Sequence, residues 1–253
     1  MDILVVGGTG LLGSAVVDRT GGTAVSRRTG FDVFDDDPAD LLATHDPDAV
    51  VVAASVERQS VPIPDYVDAV TALAEACAGR RLVYVSSGGV FDGDAGPYEP
   101  GDIRTPGDAR GRRLQVFEDQ VERHDDGVVL RPSYVYAGDP LSPRLAEARD
   151  ALADGGCERS DDVYRSPAHV GDVAAAVAEL AAGDWAGVFH APGPRLSVYE
   201  FHERALSALG VDTTNLEPVS TPETDSVARD RSLRGPRFEA ELDATIRPPE
   251  DAL

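Results

Sequence analysis

The 253-residue sequence contains no lysine: all 23 basic residues are arginines. Every fully cationic side chain is therefore a guanidinium, which does not release a proton in a protein and cannot serve as an acid. Cysteine is nearly as scarce. Cys77 and Cys157 make neither a disulfide framework nor a metal-ligand cluster, so the expected setting is the reducing cytoplasm. The histidines, at 45, 124, 169, 190 and 202, are scattered without zinc-ligand spacing, and no metal is expected. No run of about 18 apolar residues occurs, and the chain opens on a strand-like segment in place of a charged, hydrophobic leader. The expectation is a protein that neither spans a membrane nor is secreted. The absence of a Gly-x-Ser-x-Gly elbow and of a Cys/His pair removes the common hydrolase chemistries. Positive charge as a whole is short. Asp plus Glu number 45 against the 23 arginines, a formal net charge of −22, and such a surface repels nucleic acid.

What is present begins at the N-terminus. Ile3 to Val6 reads as a buried parallel strand, followed at once by Gly7, Gly8, Gly10 and Gly13 and then an apolar helical pattern. The spacing satisfies both Gly-x-x-Gly-x-x-Gly (7, 10, 13) and Gly-x-Gly-x-x-Gly (8, 10, 13). Glycine is needed because the turn takes positive φ and the backbone must approach a pyrophosphate closely. The helix that follows then offers free N–H groups and its positive dipole end to the phosphates. Gly7, Thr9, Gly10, Leu11, Leu12 and Gly13 are accordingly the expected dinucleotide-binding residues.

The pattern continues as alternating strands and helices. Strands are predicted over 23–26, 49–54, 81–87 and 127–130, and helices near 38–44, 64–78 and 112–123. Near-continuous valine-rich strands in this alternation point to an α/β fold, a Rossmann-type doubly wound parallel sheet covered on both faces. Beyond Arg131-Pro132 the pattern loosens. Helical segments at 143–153, 170–182 and 198–209 are separated by loops rich in Pro, Gly and Asp. The expected organisation is a nucleotide-binding domain over 1–139 and a small C-terminal substrate-binding lobe over 140–253. Within the lobe, about 163–190 is expected to pack back on the sheet.

Ligands of doubly wound sheets bind at the carboxyl ends of the strands. After the second strand stand Arg27 and Arg28, suited to the 2′-phosphate of NADP, with no acid there to hold the ribose hydroxyls of NAD. The cofactor is thus NADP or NAD, with NADP favoured. After the third strand, Ala53, Ala54 and Ser55 are small enough for a cofactor to lie against the chain. After the fourth come Ser86 and Ser87, then Gly88-Gly89-Val90-Phe91. A serine hydroxyl at that strand end is placed to hydrogen-bond a substrate carbonyl.

These residues carry a family likeness. The chain resembles the extended short-chain dehydrogenase/reductases, and within them the dTDP-4-dehydrorhamnose reductase-like group, over nearly its whole length. Gly7–Gly13 is similar to the family's nucleotide loop, Pro47 to Ala54 to its third strand, and Leu82 to Ser87 with Val90-Phe91-Asp92-Gly93 to its fourth strand and signature. Tyr98, Glu99, Asp102 and Pro106 fall where the family carries Tyr-x-Glu-x-Asp and a proline loop. The segment 130–136 is similar to Leu-Arg-Thr-Ser-Trp-Val-Tyr. The segments 167–172, 189–193 and 197–201 are similar to its substrate-lobe motifs, and 229–233 to the late segment that closes on the nucleotide-sugar. The resemblance implies a nicotinamide cofactor, a nucleotide-sugar ligand, and substrate contacts at Ser86, Val90, Phe91, Tyr134 and Arg229. It also leaves room for a homodimer or a partner enzyme.

One departure outweighs the matches. The family's catalytic pair is Tyr-x-x-x-Lys on a helix, ahead of a glutamate. Alignment on Gly111 and Glu118 puts Arg110 at the tyrosine and Leu114 at the lysine. The lysine normally lowers the tyrosine's pKa and holds the ribose, and neither arginine nor leucine does that work. Arg113 adjoins the lysine position but points about 100° away around the helix. Of the Ser/Thr–Tyr–Lys trio only Ser87 remains, and the substitute acids are Tyr136, Tyr98 or a water.

Two functional expectations follow. One is an NAD(P)-binding reductase-like protein acting on a nucleotide-activated deoxysugar. The other is a non-catalytic binding or regulatory protein, because the regulatory subunit of methionine adenosyltransferase resembles the same reductase group.

The excess charge has two readings, adaptation to high salt or a specific basic partner. The acidic residues are spread along the chain, which favours the first. Screening of carboxylate repulsion is then expected to raise the melting temperature from low to molar salt. A melting temperature indifferent to salt would favour the partner.

Overall fold

The computed structural model describes residues 1–222 and 226–253. Chain order is β1 (Ile3–Val6), α1 (Leu11–Thr20), β2 (Thr23–Val25), α2 (Pro38–His45), β3 (Ala49–Val52), α3 (Ile63–Ala76), β4 (Arg81–Val85), α4 (Ala109–Glu122) and β5 (Gly127–Pro132). It continues with β6 (Tyr134–Tyr136), α5 (Pro143–Ala153), β7 (Cys157–Ser160), β8 (Tyr164–Arg165), β9 (Pro167–His169), α6 (Val170–Ala182) and β10 (Gly187–Ala191). The last elements are β11 (Leu196–Ser197), α7 (Val198–Ala208), β12 (Leu216–Val219), α8 (Pro236–Glu241) and α9 (Pro249–Ala252).

Six strands form one parallel sheet in the order β10-β5-β4-β3-β1-β2. Successive strand residues point to opposite faces and both faces are buried, which is why these strands read as unbroken valine runs. Leu4, Val50, Val52, Leu82 and Tyr84 face a core with Tyr66 and Leu73 of α3 and Leu114 and Phe117 of α4. Ile3, Val5, Val51, Val83 and Val128 face α1 and α6 through Val16, Val173, Val177 and Leu180. Order reverses between β1 and β3, so the loop after β1 opens at the sheet's switch point. A third core, with Tyr136, Leu145, Leu152, Phe201 and Leu206, holds the lobe of α5, α7 and three short strand pairs together.

Three boundaries differ from the sequence expectation in ways that matter. Helix α4 starts at Ala109, three residues earlier than expected, because the Asp108 carboxylate caps it by accepting from Gly111 N at 2.7 Å. That brings Arg110 into the first turn. Strand β5 runs on through Arg131 and Pro132, and β10 pairs with it as a sixth strand. Strand β3 stops at Val52, leaving Ala53 to Ser55 as a strand-end loop.

The extension of β5 buries a cation. Arg131 is 1% exposed and Glu118 of α4 is 0% exposed. Arg131 donates to both Glu118 oxygens, at 2.9 and 2.7 Å, in a two-pronged pair. Arg104 adds a third bond to Glu118 at 3.1 Å, and the Ser86 hydroxyl a fourth at 2.5 Å. Beyond Arg131 lies His190 of β10, with Nε2 3.3 Å from the arginine and Nδ1 3.1 Å from the carbonyls of Tyr98 and Arg234. Burial and the adjacent Arg131 push this imidazole down to about 3, so it stays neutral. It donates to the carbonyls through Nδ1 and accepts from Arg131 through Nε2.

Replacing Glu118 with Gln strands a buried guanidinium. Loss of one partner of such a pair costs about 3–5 kcal/mol, which in a chain of this size lowers the melting temperature on the order of 10 °C. Thermal denaturation of Glu118→Gln checks this, and a shift of a degree or two would refute it.

Candidate functional site

The carboxyl ends of β1, β3, β4 and β5 open into a cleft of about 750 Å³. At its start, the glycine loop is shaped by close approach. Gly7 has φ of +87°, which favours glycine, and a Cβ on Gly13 would sit 2.1 Å from the Gly7 carbonyl oxygen. Gly7 N and Gly8 N bond to Val25 O, at 2.8 and 3.2 Å, and Gly10 N to Gly7 O at 2.9 Å. Helix α1 begins with no side-chain cap, so its first N–H groups face the cleft at Leu11 and Leu12.

Past β2 the chain makes a single tight turn of 27–29, closed by reciprocal bonds between Ser26 and Thr29. The Thr9 hydroxyl donates to Ser26 Oγ at 3.0 Å and ties this turn to the glycine loop. Arg27 and Arg28 both line the cleft, with Phe31, Val33 and Phe34 as an apolar wall beside them. Asp32 lies in the same wall, and its carboxylate accepts from Phe34 N at 3.0 Å. Ala53, Ala54 and Ser55 form the floor between this end and the ends of β4 and β5.

At the end of β4, Ser87 accepts from Gly89 N at 3.1 Å and starts a short turn of 88–90. Ser87 Oγ, Arg110 Nη1 and Leu114 Cδ1 all lie within 3.5 Å of the point a Cβ on Gly89 would occupy. The residues at the three positions of the Ser–Tyr–Lys trio thus surround one spot. Arg110 Nε donates to Glu57 Oε1 at 3.0 Å, and Glu57 is itself buried. Arg113 turns away from the cleft and donates to the carbonyls of Gln59 and Val61, bracing the loop that carries Glu57.

The far wall belongs to the lobe. Arg144, Arg165 and Arg231 line it together with Ser133 and Tyr134. Arg165 donates to the carbonyls of Tyr164 and Ala228 but, among the described residues, has no carboxylate in salt-bridge range. Burial, then the charges of Arg231 and Arg144, push its guanidinium down to about 10. Arg231 Nε is buried without a partner among the described residues. Seven arginines line the cleft, against Asp32 and Glu57 as its acids, in a chain of net charge −22. Cations held this close, with so little acid opposite, form a receptor for anions. Among the described residues no cluster of His, Cys, Asp or Glu is arranged to hold a metal, and no helix is long and apolar enough to cross a membrane.

The RmlD substrate binding domain family matches residues 1–233. The chain belongs to this family. It is 35% identical over 160 residues to a dTDP-4-dehydrorhamnose reductase of Mycobacterium tuberculosis, an overlap of 59% of this chain and 53% of the relative. The chain therefore spans about half the length of that relative. It is 26% identical over 253 residues to methionine adenosyltransferase 2 subunit beta of Danio rerio, covering 86% of this chain and 77% of that one. In fold it is similar to a dTDP-4-dehydrorhamnose reductase from Bacillus anthracis in complex with NADP, with a TM-score of 0.83 at 19% identity, covering 99% and 96% of the two chains.

Several residues expected in the site by family likeness lie elsewhere. Tyr136 is fully buried in the lobe core against Phe201 and His169, and burial raises its phenol far above the ordinary range. Tyr98 stacks on Phe91 at 4.1 Å, and its hydroxyl donates to Asp92 at 2.8 Å while accepting from Gly93 N and Ala95 N. Neither phenol reaches the cleft, so neither substitutes for the missing acid. Val90 and Phe91 are 0% exposed and pack behind the β4 loop, out of reach of a substrate. Gly13 serves the loop's closure onto α1 and does not face the cleft. Arg229 pairs with Asp162 at 2.5 Å and with the carbonyls of Thr221 and Pro222, outside the cleft. Arg231, two residues on, takes the place assigned to it. Nothing in the local pattern distinguishes the two arginines, and the lobe's Arg144 and Arg165 carried no motif.

Gly10 provides the direct check of the loop. Its φ of −84° suits any residue, and the single heavy atom within 4 Å of an added Cβ is Gly7 O at 3.3 Å. A branched side chain there enters the cleft, with the Gly7 carbonyl giving way by a few tenths of an ångström. Gly10→Val is expected to weaken NADPH binding by more than about tenfold with little change in melting temperature, measured by fluorescence titration. Unchanged affinity would remove the loop from the site.

Proposed function

We propose that this chain binds NADPH and a nucleotide-diphosphate sugar side by side in the cleft, as a reductase-like protein of nucleotide-sugar metabolism. The observation that carries the reading is the separation of charge into two anion stations. Arg27 and Arg28, beside the glycine loop, suit a dinucleotide with a 2′-phosphate. Arg144, Arg165 and Arg231, on the opposite wall, suit a second phosphate-bearing ligand. The loop fits such a cofactor on its own geometry: an uncapped helix start, a glycine at positive φ, and Gly10 lining the cleft without a side chain to fill it. Structurally similar proteins hold cofactors of this class, a dTDP-4-dehydrorhamnose reductase from Bacillus anthracis NADP and the Bordetella bronchiseptica enzyme WbmH NAD+. NADP is preferred over NAD because two guanidinia lead the β2 turn, while the nearby Asp32 carboxylate is engaged by Phe34 N.

A bound nicotinamide supplies hydride. This chain's residues hold the two ligands and orient a carbonyl through Ser87. They do not supply a proton, since Arg110 keeps its own and Leu114 has none to tune. Reduction of a 4-keto sugar is therefore slow, with water as the acid. This same lack favours the second reading, a binding or regulatory protein like the methionine adenosyltransferase beta subunit, to which the chain is similar over most of its length.

Assays of NADPH oxidation with a dTDP-4-keto-6-deoxysugar decide between them. A positioned acid is typically worth 10²–10⁴-fold, roughly the deficit expected of the wild type. Arg110→Tyr with Leu114→Lys places both groups on one helical face, around the spot Ser87 already borders, and is expected to raise the rate. Wild-type turnover near about 10 s⁻¹ would show that another residue gives the proton.

A further inference from the structure

Arg110 is more than a lost tyrosine. Its guanidinium is fixed on one edge, where Nε donates to the buried Glu57 carboxylate at 3.0 Å. Glu57 sits in the turn of 56–58 that follows β3, and the Arg113 bonds to Gln59 and Val61 hold that segment in place. The absent side chain of Gly89 leaves room for Nη1, which lies 3.0 Å from where a Cβ would stand. The two terminal nitrogens have no acceptor among the described residues, and the side chain is 35% exposed on the cleft wall beside Ser87. A guanidinium pinned at Nε with its Nη edge open to a ligand cleft is a ready receiver for an oxyanion, since a carboxylate matches that fork with two parallel bonds. Neither phosphate station accounts for it. The cofactor's phosphates lie at the glycine loop and the Arg27 turn, and the second ligand's at Arg144, Arg165 and Arg231. Arg110 stands instead at the β4 end, by the serine that faces the reacting end of the sugar.

We infer that Arg110, aimed by Glu57, recognises a carboxylate on the sugar itself, so that a nucleotide-linked uronic acid binds more tightly than its neutral counterpart. The inference rests on the proposed nucleotide-sugar reading and narrows it to a substrate class. It also gives the replacement of tyrosine by arginine a positive content. An acid that would have to approach a substrate carboxylate is exchanged for a permanent cation that binds it. Glu57 is a positioning residue here: it touches no ligand, and it keeps the guanidinium from folding out to solvent or toward the acidic surface.

Calorimetric titration of the full chain with NADPH present, using UDP-glucuronic acid against UDP-glucose and the matching dTDP pair, tests this. Each pair differs in a carboxylate against a hydroxymethyl group. The wild type is expected to bind the uronate at least about tenfold more tightly, the scale of a charge-assisted two-pronged contact. Arg110→Gln is expected to collapse the preference, and Arg110→Lys, which keeps the charge but not the fork, to restore part of it. Glu57→Gln is expected to reduce the preference less than Arg110→Gln does. Melting temperatures of the variants, read alongside, identify any that fail to fold; the wild-type comparison stands without them. Equal wild-type affinity for the two sugars, or a preference that survives in folded Arg110→Gln, overturns the inference and leaves the nucleotide-sugar reading intact. Binding of neither sugar overturns that reading and this inference with it.

Discussion

The buried pair of Arg131 and Glu118 is the constraint on which the site depends. Two ions enclosed at 1% and 0% exposure would ordinarily cost more in lost hydration than their attraction returns. The bonds from Arg104 and Ser86 to Glu118, and from Arg131 to His190 and the Pro100 carbonyl, offset that cost by leaving few lone pairs or protons idle. Energy aside, the network supplies register. It ties α4 to β5, β5 to β10, and the end of β4 to both, while His190 reaches the backbones of 98 and 234. Of those segments, α4, the ends of β4 and β5, and the stretch carrying Arg231 border the cleft. Arg110 and Leu114 border the cleft from the same face of α4 that, one turn past Leu114, brings Glu118 to the sheet.

The same logic explains why the aromatic residues near the site are structural. Phe91 lies under the Arg131 guanidinium, at 5.4 Å from ring centre to charge, and is stacked by Tyr98. The Tyr98 hydroxyl in turn holds the loop of 92–95 through three bonds. These rings seal the ion network from water. A phenol serving there has no freedom to become a proton donor in the cleft.

Much of this architecture is legible in the sequence, for a physical reason. Strands buried on both faces write themselves as apolar runs, and the expected segments over 3–6, 23–26, 49–54, 81–87 and 127–130 each contain or overlap an observed strand. Helices over 143–153 and 170–182 coincide with α5 and α6, whose proline start and histidine cap mark their first turns. The glycine loop is legible because each glycine answers a contact that a Cβ would violate or occupy. What the sequence does not disclose is direction in irregular chain. Tyr136 lies in a three-residue strand and Arg229 in a segment with no repeating period, so nothing indicates which way either side chain turns. The Asp108 cap starts α4 one turn ahead of the segment expected from its pattern.

Charge placement unites the acidic surface with the cleft. The proposed ligands, a dinucleotide and a nucleotide-sugar, are polyanions, and a body of net charge −22 opposes them at long range. That opposition acts over a Debye length, about 10 Å at 0.1 M salt and 3 Å at 1 M. Contacts made at hydrogen-bond distance inside a partly enclosed cleft are screened far less. Rising salt therefore removes the barrier to approach faster than it weakens the arginine contacts. A lysine-free chain suits that division: guanidinia are weakly hydrated, form forked bonds and keep their charge when buried, as Arg131 is, or half-buried, as Arg165 is. On the surface, arginines such as Arg80, Arg149 and Arg159 pair with carboxylates. In the cleft seven gather opposite two acids, an excess of positive charge that an anionic ligand would balance.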